Sequence, residues 1–512
     1  MGIDEKRRSN VINSLMRGAG INFVAFVVRF LFIFIQSFLA VRLFGTDQFG
    51  VYIVAISAVN LLSYAGQLGF SRTVVRYVAL YIERNEWCNI SRFLQFMLAV
   101  TIVWSAAIGI GLNFATEYLQ MLFSEVSLLN VLIVIGFAIP CLTLATLLGA
   151  FTQGFGVMQH KAIAIDMLAP ALEVGLLIVF WHLGLQENGL MLSYTISLGV
   201  VCILLSFVTY RFLCMAKNKT IEGFSHEAVA IRPIIRFTAF AWVSLLLRHA
   251  TRPVNIFVIG VLGTATMVGI YSVLERLVAV GAVFLMSINA MFAPLVSRLV
   301  EAEDYVQLGR MYALAARWSL CVCLPVFVIL AVYGEEILYL FGAEFVEGAS
   351  ALWYLAGAWI FSLSTGPADV ILMMSGRSHY SAINQIIMVG IMVMLGIWLI
   401  PMWGLIGAVF GFAIATVVVN ILRVLQVQMH LKIHPFGLPT TKVLVAGVFM
   451  LAILLILPTT MSAEFYGTWQ GDVTIALIGL LVYLLVLVLL RLETEEFQAL
   501  NVLRLRIQLI KN

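Results

Sequence analysis

Charged residues are scarce in this chain, and their scarcity excludes a soluble protein. Asp, Glu, Lys and Arg make up 11% of the 512 residues, whereas hydrophobic residues make up 62%. Soluble proteins carry about 25% charged residues. Apolar runs of about 20 residues, long enough to cross a bilayer, recur along the whole length. The composition therefore indicates a polytopic helical membrane protein, with no stretch left over that is long enough for a separate soluble domain.

The motifs of metal sites and enzymes are also missing. The six cysteines form no metal-binding pattern, so we interpret them as small buried apolar residues. The seven histidines are scattered, and the chain has neither a phosphate-binding loop with Lys nor a Gly-x-Ser-x-Gly elbow. We therefore expect no catalytic residue, no metal, no cofactor and no nucleic-acid partner. Without a nucleotide-binding domain, the chain cannot use ATP unaided.

Lys and Arg are absent from every second connection between the apolar runs. The remaining connections and both termini carry clusters of them, such as Lys6, Arg7 and Arg8. Because loops rich in Lys and Arg stay in the cytoplasm, we expect both termini to be cytoplasmic. The connections that hold no Lys or Arg are 45–50, 116–126, 184–188, 261–266, 334–349, 401–403 and 459–471.

The apolar runs predict an all-α polytopic membrane protein with about fourteen transmembrane helices. A missing span would disrupt the alternation of charge between successive loops, so the alternation supports this count. The approximate limits of the spans are 18–44, 51–70, 93–115, 127–151, 162–183, 189–212, 235–260, 267–296, 312–333, 350–374, 380–400, 404–428, 441–458 and 472–490.

The first twelve spans resemble two copies of one six-helix unit. Both copies begin in the cytoplasm, so the repeats are parallel and related by an axis along the membrane normal. A shift of 219 residues superposes Arg29 on Arg248, Gln36 on Asn255, Gly50 on Gly269 and Tyr52 on Tyr271, and a shift of 220 superposes Gly156 on Gly376.

This repeat predicts the organisation of the chain into lobes. Two-lobed transporters bind substrate at the interface between the lobes and alternate its access. The predicted parts are a cytoplasmic N-terminal segment (1–17), an N-lobe with spans 1–6 (18–215), a cytoplasmic linker (216–233), a C-lobe with spans 7–12 (234–430), spans 13 and 14 (431–490) and a cytoplasmic tail (491–512).

The seventh predicted span carries two arginines, Arg248 and Arg252, within the segment that would cross the bilayer. Ser244, Arg248, Arg252 and Asn255 follow an i, i+4, i+8, i+11 pattern and so form one polar stripe on the helix. A charge within a membrane costs about 3 kcal/mol or more unless it meets water or a partner. The stripe thus predicts a wet cavity that receives an anion. The alternative is that neighbouring carboxylates pair with the arginines.

The first span has a matching stripe. Asn22, Arg29 and Gln36 recur at intervals of seven residues and lie on one helix face. Because the internal repeat superposes Arg29 on Arg248, we expect the two stripes to face each other across a central cleft.

Four carboxylates lie inside predicted spans. Asp166 and Glu173 share one face of the fifth span, Glu275 lies beside Arg276 in the eighth, and Asp369 lies in the tenth. One interpretation is an ion pair with a cavity arginine. The other is proton or sodium coupling, because a carboxylate at membrane depth is costly unless it has a function. If an ion gradient drives transport, Glu173 or Asp369 is our first candidate for its carrier.

With these features the chain resembles the polysaccharide-transporter branch of the multidrug/oligosaccharidyl-lipid/polysaccharide exporter superfamily. It is similar to the Wzx-type flippases of O-antigen and exopolysaccharide repeat units. The resemblance covers nearly the whole chain and includes the two-copy plan with two extra spans. The local motifs that carry it are the span with Arg29, the Leu43-Phe44-Gly45-x4-Gly50-x-Tyr52 turn and Gln153-Gly154.

The resemblance implies a V-shaped twelve-helix core and export of undecaprenyl-pyrophosphate-linked oligosaccharide across a bacterial inner membrane. It assigns the pyrophosphate to cationic cavity residues, here Arg29, Arg248, Arg252 and Arg276. Membrane lipids are implied partners, and a polysaccharide polymerase and a chain-length regulator are candidate partners. The alternatives are a cation-coupled multidrug antiporter of the same superfamily and a membrane glycosyltransferase or polysaccharide polymerase. Short outer loops without basic residues argue against the enzyme.

Overall fold

The computed structural model describes residues 24–84, 86–115, 128–185, 188–219, 231–460 and 468–490. Within these ranges every regular element is a helix, which confirms the predicted all-α class. Asn22 and the predicted cytoplasmic tail lie outside the described residues. The chain forms two compact units, Met1–Ser272 and Val273–Asn512.

The described helices of the first unit include the predicted spans 1 to 7. They are α1 (Val24–Phe44), α2 (Thr46–Gly66), α3 (Phe70–Glu83), α4 (Trp87–Phe114), α5 (Leu128–Gly154), α6 (Gln159–His182), α7 (Gly189–Lys219), α8 (Ile231–Leu262) and the start of α9 (Ala265–Glu301).

The second unit contains the rest of α9 and the helices that follow it. These are α10 (Tyr305–Val332), α11 (Gly334–Tyr339), a 3-10 turn (Ala343–Gly348), α12 (Ala349–Ser364), α13 (Ala368–Met374), α14 (Ser378–Leu431), α15 (Leu438–Thr460) and α16 (Trp469–Leu489).

The helices agree with a polytopic membrane protein. Eleven described helices are long and apolar enough to cross a membrane, and a bent pair formed by Ala343–Ser364 and Ala368–Met374 makes twelve. The predicted number is larger by two, because α9, which holds the predicted eighth span, is not among the counted helices and α14 contains two predicted spans. Its 54 residues are interrupted at Gly404, where the backbone has φ 55° and ψ −128°. The predicted eighth span falls on α9.

Two turns that the 220-residue shift superposes have the same backbone conformation. Gly156 precedes α6 with a φ of 79°, and Gly376 precedes α14 with a φ of 80°. Residues with a side chain rarely adopt this left-handed conformation, whereas glycine adopts it freely. The repeated glycines therefore make the same kind of turn in both copies.

Repeat-related residues also contact one another where α2 meets the start of α9. The hydroxyl of Thr266 donates a hydrogen bond to the carboxylate of Asp47, 219 residues earlier. A Cβ atom on Gly269 would lie 3.1 Å from the carbonyl oxygen of Thr46. These contacts hold the first turns of α2 and α9 against each other.

Gly50→Ala is expected to destabilise the protein. An added Cβ would lie 1.8 Å from the carbonyl oxygen of Ala265, so the two helix backbones would have to separate. Overpacking of this kind costs about 1–3 kcal/mol or more. Thermal unfolding of the purified protein measures the effect. The matched control is Gly175→Ala in α6, where no atom lies within 4 Å and Ala favours the helix. Equal unfolding temperatures for both variants would contradict the prediction.

A second close approach fixes α8 against the break between α2 and α3. Leu68 and Gly69 have φ values of 49° and 77°, which end α2 and redirect the chain into α3. A Cβ on Gly69 would lie 2.5 Å from the carbonyl oxygen of Thr238 and 2.7 Å from the nitrogen of Trp242. The absence of a side chain at residue 69 thus lets the α8 backbone pack against this break and brings the later turns of α8 towards α2.

Candidate functional site

The Arg29 side chain in α1 pairs with Asp166 in α6. Its Nη1 donates a hydrogen bond of 2.7 Å to Asp166 Oδ1. The two side chains are 46% and 27% exposed, so the ion pair is accessible rather than enclosed. The structure thus shows the ion pair that was one of the two interpretations of Asp166. Which helix supplies the partner of Arg29 was not evident from the sequence.

The helix that carries Asp166 departs from α geometry around this residue. Residues Ala162–Leu168 form a π-helical segment between the α-helical start and end of α6. Pro170 follows in the first turn of regular α-helix. Proline has no N–H, so the carbonyl of Asp166 four residues earlier cannot receive the usual helical hydrogen bond. The position of this proline gives a local reason for the irregular turn at Asp166.

Lys161 is a site residue that sequence reasoning missed. It lies just before the predicted fifth span and is only partly exposed at the start of α6. It lies within electrostatic range of both Asp166 and Arg29. Its aliphatic stem packs over Gly149 of α5, where a Cβ would lie 2.9 Å from Lys161 Cγ. The glycine in α5 therefore leaves room for the lysine beside the ion pair.

A stacked aromatic pair lies within electrostatic range of both Arg29 and Arg248. The rings of Tyr64 in α2 and His249 in α8 stack with centroids 4.2 Å apart and planes 9° apart. Arg29 lies within electrostatic range of Tyr64, and Arg248 and Arg72 lie within that of His249. Cationic side chains from α1, α3 and α8 therefore lie within electrostatic range of one stacked pair. We call Arg29, Arg72, Lys161 and Arg248 the cationic cluster.

Glu173 lies next to this cluster but is buried. It is 9% exposed, and its Oε1 accepts a hydrogen bond from the hydroxyl of Tyr52 in α2. The ring of Tyr194 meets that of Tyr52 edge-on at 6.4 Å. Glu173 and Arg29 both lie within electrostatic range of Tyr194. The face of α6 predicted to hold two carboxylates thus holds one that is accessible and one that is buried.

Solvent exposure changes along each of the two predicted polar stripes. Arg29, Arg248 and Arg252 are exposed, whereas Gln36 and Asn255 are each 3% exposed. Asn255 Nδ2 donates a hydrogen bond of 2.6 Å to the hydroxyl of Tyr271. The two amides therefore lie within helix packing, because neighbouring helices cover the later turns of α1 and α8. The accessible part of each stripe is the part that carries its arginines, and on α8 this part also includes Ser244.

In the second unit, Asp369 is also ion-paired. Its Oδ1 accepts a hydrogen bond of 2.7 Å from Ser381 and lies 3.6 Å from Nε of Arg423 in α14. Glu275 and Arg276 are partly exposed on α9. Among the described residues, no group of three or more His, Cys, Asp or Glu side chains could hold a metal ion.

Comparisons of structure place this fold among known flippases and exporters. The chain is similar to a lipid II flippase, MurJ, in an inward closed conformation, with a TM-score of 0.66 and 16% identity over 92% of this chain and 98% of that one. It is also similar to an inward-facing multidrug resistance MATE transporter of the MOP superfamily, with a TM-score of 0.58 and 16% identity over 82% of this chain and 94% of that one. At these identities the likeness shows the fold.

A third similar structure is a MOP superfamily transporter from Pyrococcus furiosus, described as having a binding pocket of reverse polarity. Its TM-score is 0.58, with 16% identity over 82% of this chain and 95% of that one. No curated protein has a matching sequence. The model of the polysaccharide biosynthesis protein family matches residues 15–300. That match covers more than half of the chain and includes the cationic cluster, so this protein belongs to the polysaccharide biosynthesis protein family.

Proposed function

We propose that this protein translocates oligosaccharide repeat units linked to undecaprenyl pyrophosphate across the bacterial inner membrane, for O-antigen, capsule or exopolysaccharide synthesis. The observation that carries this proposal is the cationic cluster. Arg29 and Arg248 lie within predicted membrane spans, and Arg29 is accessible and paired with Asp166. The family supports a role in polysaccharide biosynthesis. The similar structure of a lipid II flippase supports transport of a lipid-linked substrate.

The chemistry of the cluster favours a phosphate-bearing ligand. The cluster contains the four cations Arg29, Arg72, Lys161 and Arg248, and two carboxylates, Asp166 and Glu173, lie beside it. Guanidinium keeps its charge and presents paired N–H donors that match phosphate oxygens. An anion bound between Arg29 and Arg248 would reduce the cost of holding their positive charge at membrane depth. We propose Arg29 and Arg248 as the main ligands and Arg252 as a supporting one; Arg276, Gln36 and Asn255 remain predictions from the sequence.

A cation-coupled multidrug antiporter is the second candidate, favoured by the presence of Asp166 and Glu173 beside the cluster and by the MATE-like fold. An antiporter would use accessible carboxylates to receive a cationic drug. Asp166 is the accessible one, and Arg29 already neutralises it at 2.7 Å. This pairing favours the anionic substrate. We also propose that the chain carries out no reaction on the sugar.

The orientation in the membrane follows from the loop charges and is part of the proposal. Both termini lie in the cytoplasm, and the loops without Lys or Arg lie outside. The substrate then enters near Lys161 and Arg72, at the cytoplasmic ends of their helices. A polysaccharide polymerase and a chain-length regulator would act on the exported units.

Deleting the gene is expected to abolish surface polysaccharide and to trap lipid-linked repeat units on the cytoplasmic face. Immunoblots of surface polysaccharide measure the first effect. Resistance of the lipid-linked sugar to an impermeant oxidant in spheroplasts measures the second. A plasmid carrying the intact chain is the control and should restore both. Normal surface polysaccharide together with new drug sensitivity would contradict the proposal and favour the antiporter.

A further inference from the structure

The ion pair between Arg29 and Asp166 raises a question about substrate binding. A phosphate that binds Arg29 must compete with a carboxylate already 2.7 Å from its Nη1. Both side chains remain partly exposed, so a ligand can reach the pair. A charge-assisted hydrogen bond contributes substantially to binding. Asp166 therefore either orients Arg29 for the ligand or occupies the place that the ligand takes.

The helix around Asp166 allows the carboxylate to move. The segment Ala162–Leu168 is π-helical, a geometry that is rare and is found frequently at functional sites. Pro170 leaves the carbonyl of Asp166 without its usual helical donor. A shift of one residue between π and α register would turn the side chain by about 100°. Because Pro170 disfavours the α register at Asp166, binding of the ligand would supply the free energy of such a shift.

A second cation lies within reach of the carboxylate on its own helix. Lys161 precedes Asp166 by five residues, and a π-helix places residues i and i+5 one turn apart. The two groups already lie within electrostatic range of each other. Gly149 provides the space in which the lysine stem packs against α5. A carboxylate released from Arg29 would therefore meet Lys161 rather than lose its ionic partner.

We infer that Asp166 is a displaceable counter-ion, which pairs with Arg29 in the empty site and with Lys161 once a pyrophosphate occupies Arg29. This inference rests on the proposed function. Arg29 is never left without an anion, so its charge at membrane depth stays compensated throughout transport. When Asp166 returns to Arg29 it displaces the pyrophosphate, which promotes release. The same carboxylate thus weakens binding and speeds turnover.

The first test measures affinity for a short polyprenyl pyrophosphate. Binding of geranylgeranyl pyrophosphate to the purified full-length protein is followed by calorimetry. Asp166→Asn is expected to bind the probe about tenfold more tightly, because the competing charge is gone. The matched control Glu83→Gln removes an exposed carboxylate from α3 and should leave the affinity unchanged. Weaker or unchanged binding by a monodisperse Asp166→Asn protein would overturn the inference.

The second test asks whether Lys161 receives the carboxylate. Lys161→Met is expected to weaken probe binding about tenfold when Asp166 is present, and by less than about twofold in the Asp166→Asn background. An equal loss of probe affinity in both backgrounds would mean that Lys161 binds the phosphate directly. The proposed movement of Asp166 from Arg29 to Lys161 would then be wrong.

A third variant separates this inference from the proposed function. Arg29→Ala should weaken probe binding in both backgrounds if Arg29 binds the phosphate. If Arg29→Ala binds as tightly as the unchanged protein, the anion site itself is wrong, and the proposed function loses its main support. If Arg29→Ala weakens binding while Asp166→Asn does not tighten it, the anion site stands and only the displaceable counter-ion is wrong.

Discussion

Replacing Arg29 or Arg248 with Ala is expected to stop surface polysaccharide production while the protein remains in the membrane. Loss of one charged hydrogen-bond partner of a phosphate costs about 1.5–3 kcal/mol, which corresponds to a loss of about ten- to a hundredfold in binding. Arg29→Ala also leaves Asp166 without the ion pair that the structure shows. Arg→Lys should be partly active, because lysine keeps the charge but loses the planar fork.

Membrane abundance and surface polysaccharide must be measured together in this experiment. The control Arg42→Ala removes the same side chain from the C-terminal end of α1, where the guanidinium lies 5.8 Å from the ring centroid of Phe38. It should leave polysaccharide unchanged. If Arg29 and Arg248 had a purely structural role, their Ala variants would show lower protein abundance in the membrane but unchanged activity per molecule. Near-normal polysaccharide from well-expressed Arg29→Ala and Arg248→Ala proteins would refute the anion site.

Glu173→Gln is expected to abolish transport driven by a proton or sodium gradient. Glu173 is buried and accepts a hydrogen bond from the neutral hydroxyl of Tyr52. A carboxylate at membrane depth is costly, and carboxylates in such positions often form part of proton or ion relays. Tyr52→Phe keeps the ring but removes the donor, and should reduce coupling partly. Flux in proteoliposomes with an imposed gradient measures the effect, and exchange without a gradient should persist.

Asp369 is the other carboxylate that the sequence offers as an ion carrier, and its surroundings differ from those of Glu173. Its oxygen lies 3.6 Å from Nε of Arg423 and accepts a hydrogen bond from Ser381. A carboxylate neutralised in this way is a weaker candidate for an ion carrier, so Asp369→Asn should change stability more than coupling. Full gradient-driven transport by Glu173→Gln would exclude Glu173. If Asp369→Asn alone lost this transport, the carrier would be Asp369.

The sequence alone predicted the helical class, the approximate spans and the family. These properties depend on local composition, since a run of about 20 apolar residues needs no distant partner to indicate a membrane span. The turns at Gly156, Gly376 and Gly404 were also predictable, because turn glycines are local signals. Arg29 and Arg248 could be selected for the same reason, since a charge within an apolar run is unfavourable wherever its helix packs.

Only the tertiary structure decided which side chains meet. The pairing of Arg29 with Asp166, 137 residues apart, and the stack of Tyr64 on His249 depend on which faces of distant helices pack together. The burial of Asn255 has the same origin, since its exposure is set by neighbouring helices and not by the helical period. Lys161 was not predicted as a site residue, because its proximity to Asp166 and Arg29 depends on how α6 folds and packs. Local patterns determined where charge enters the membrane, and helix packing determined what that charge contacts.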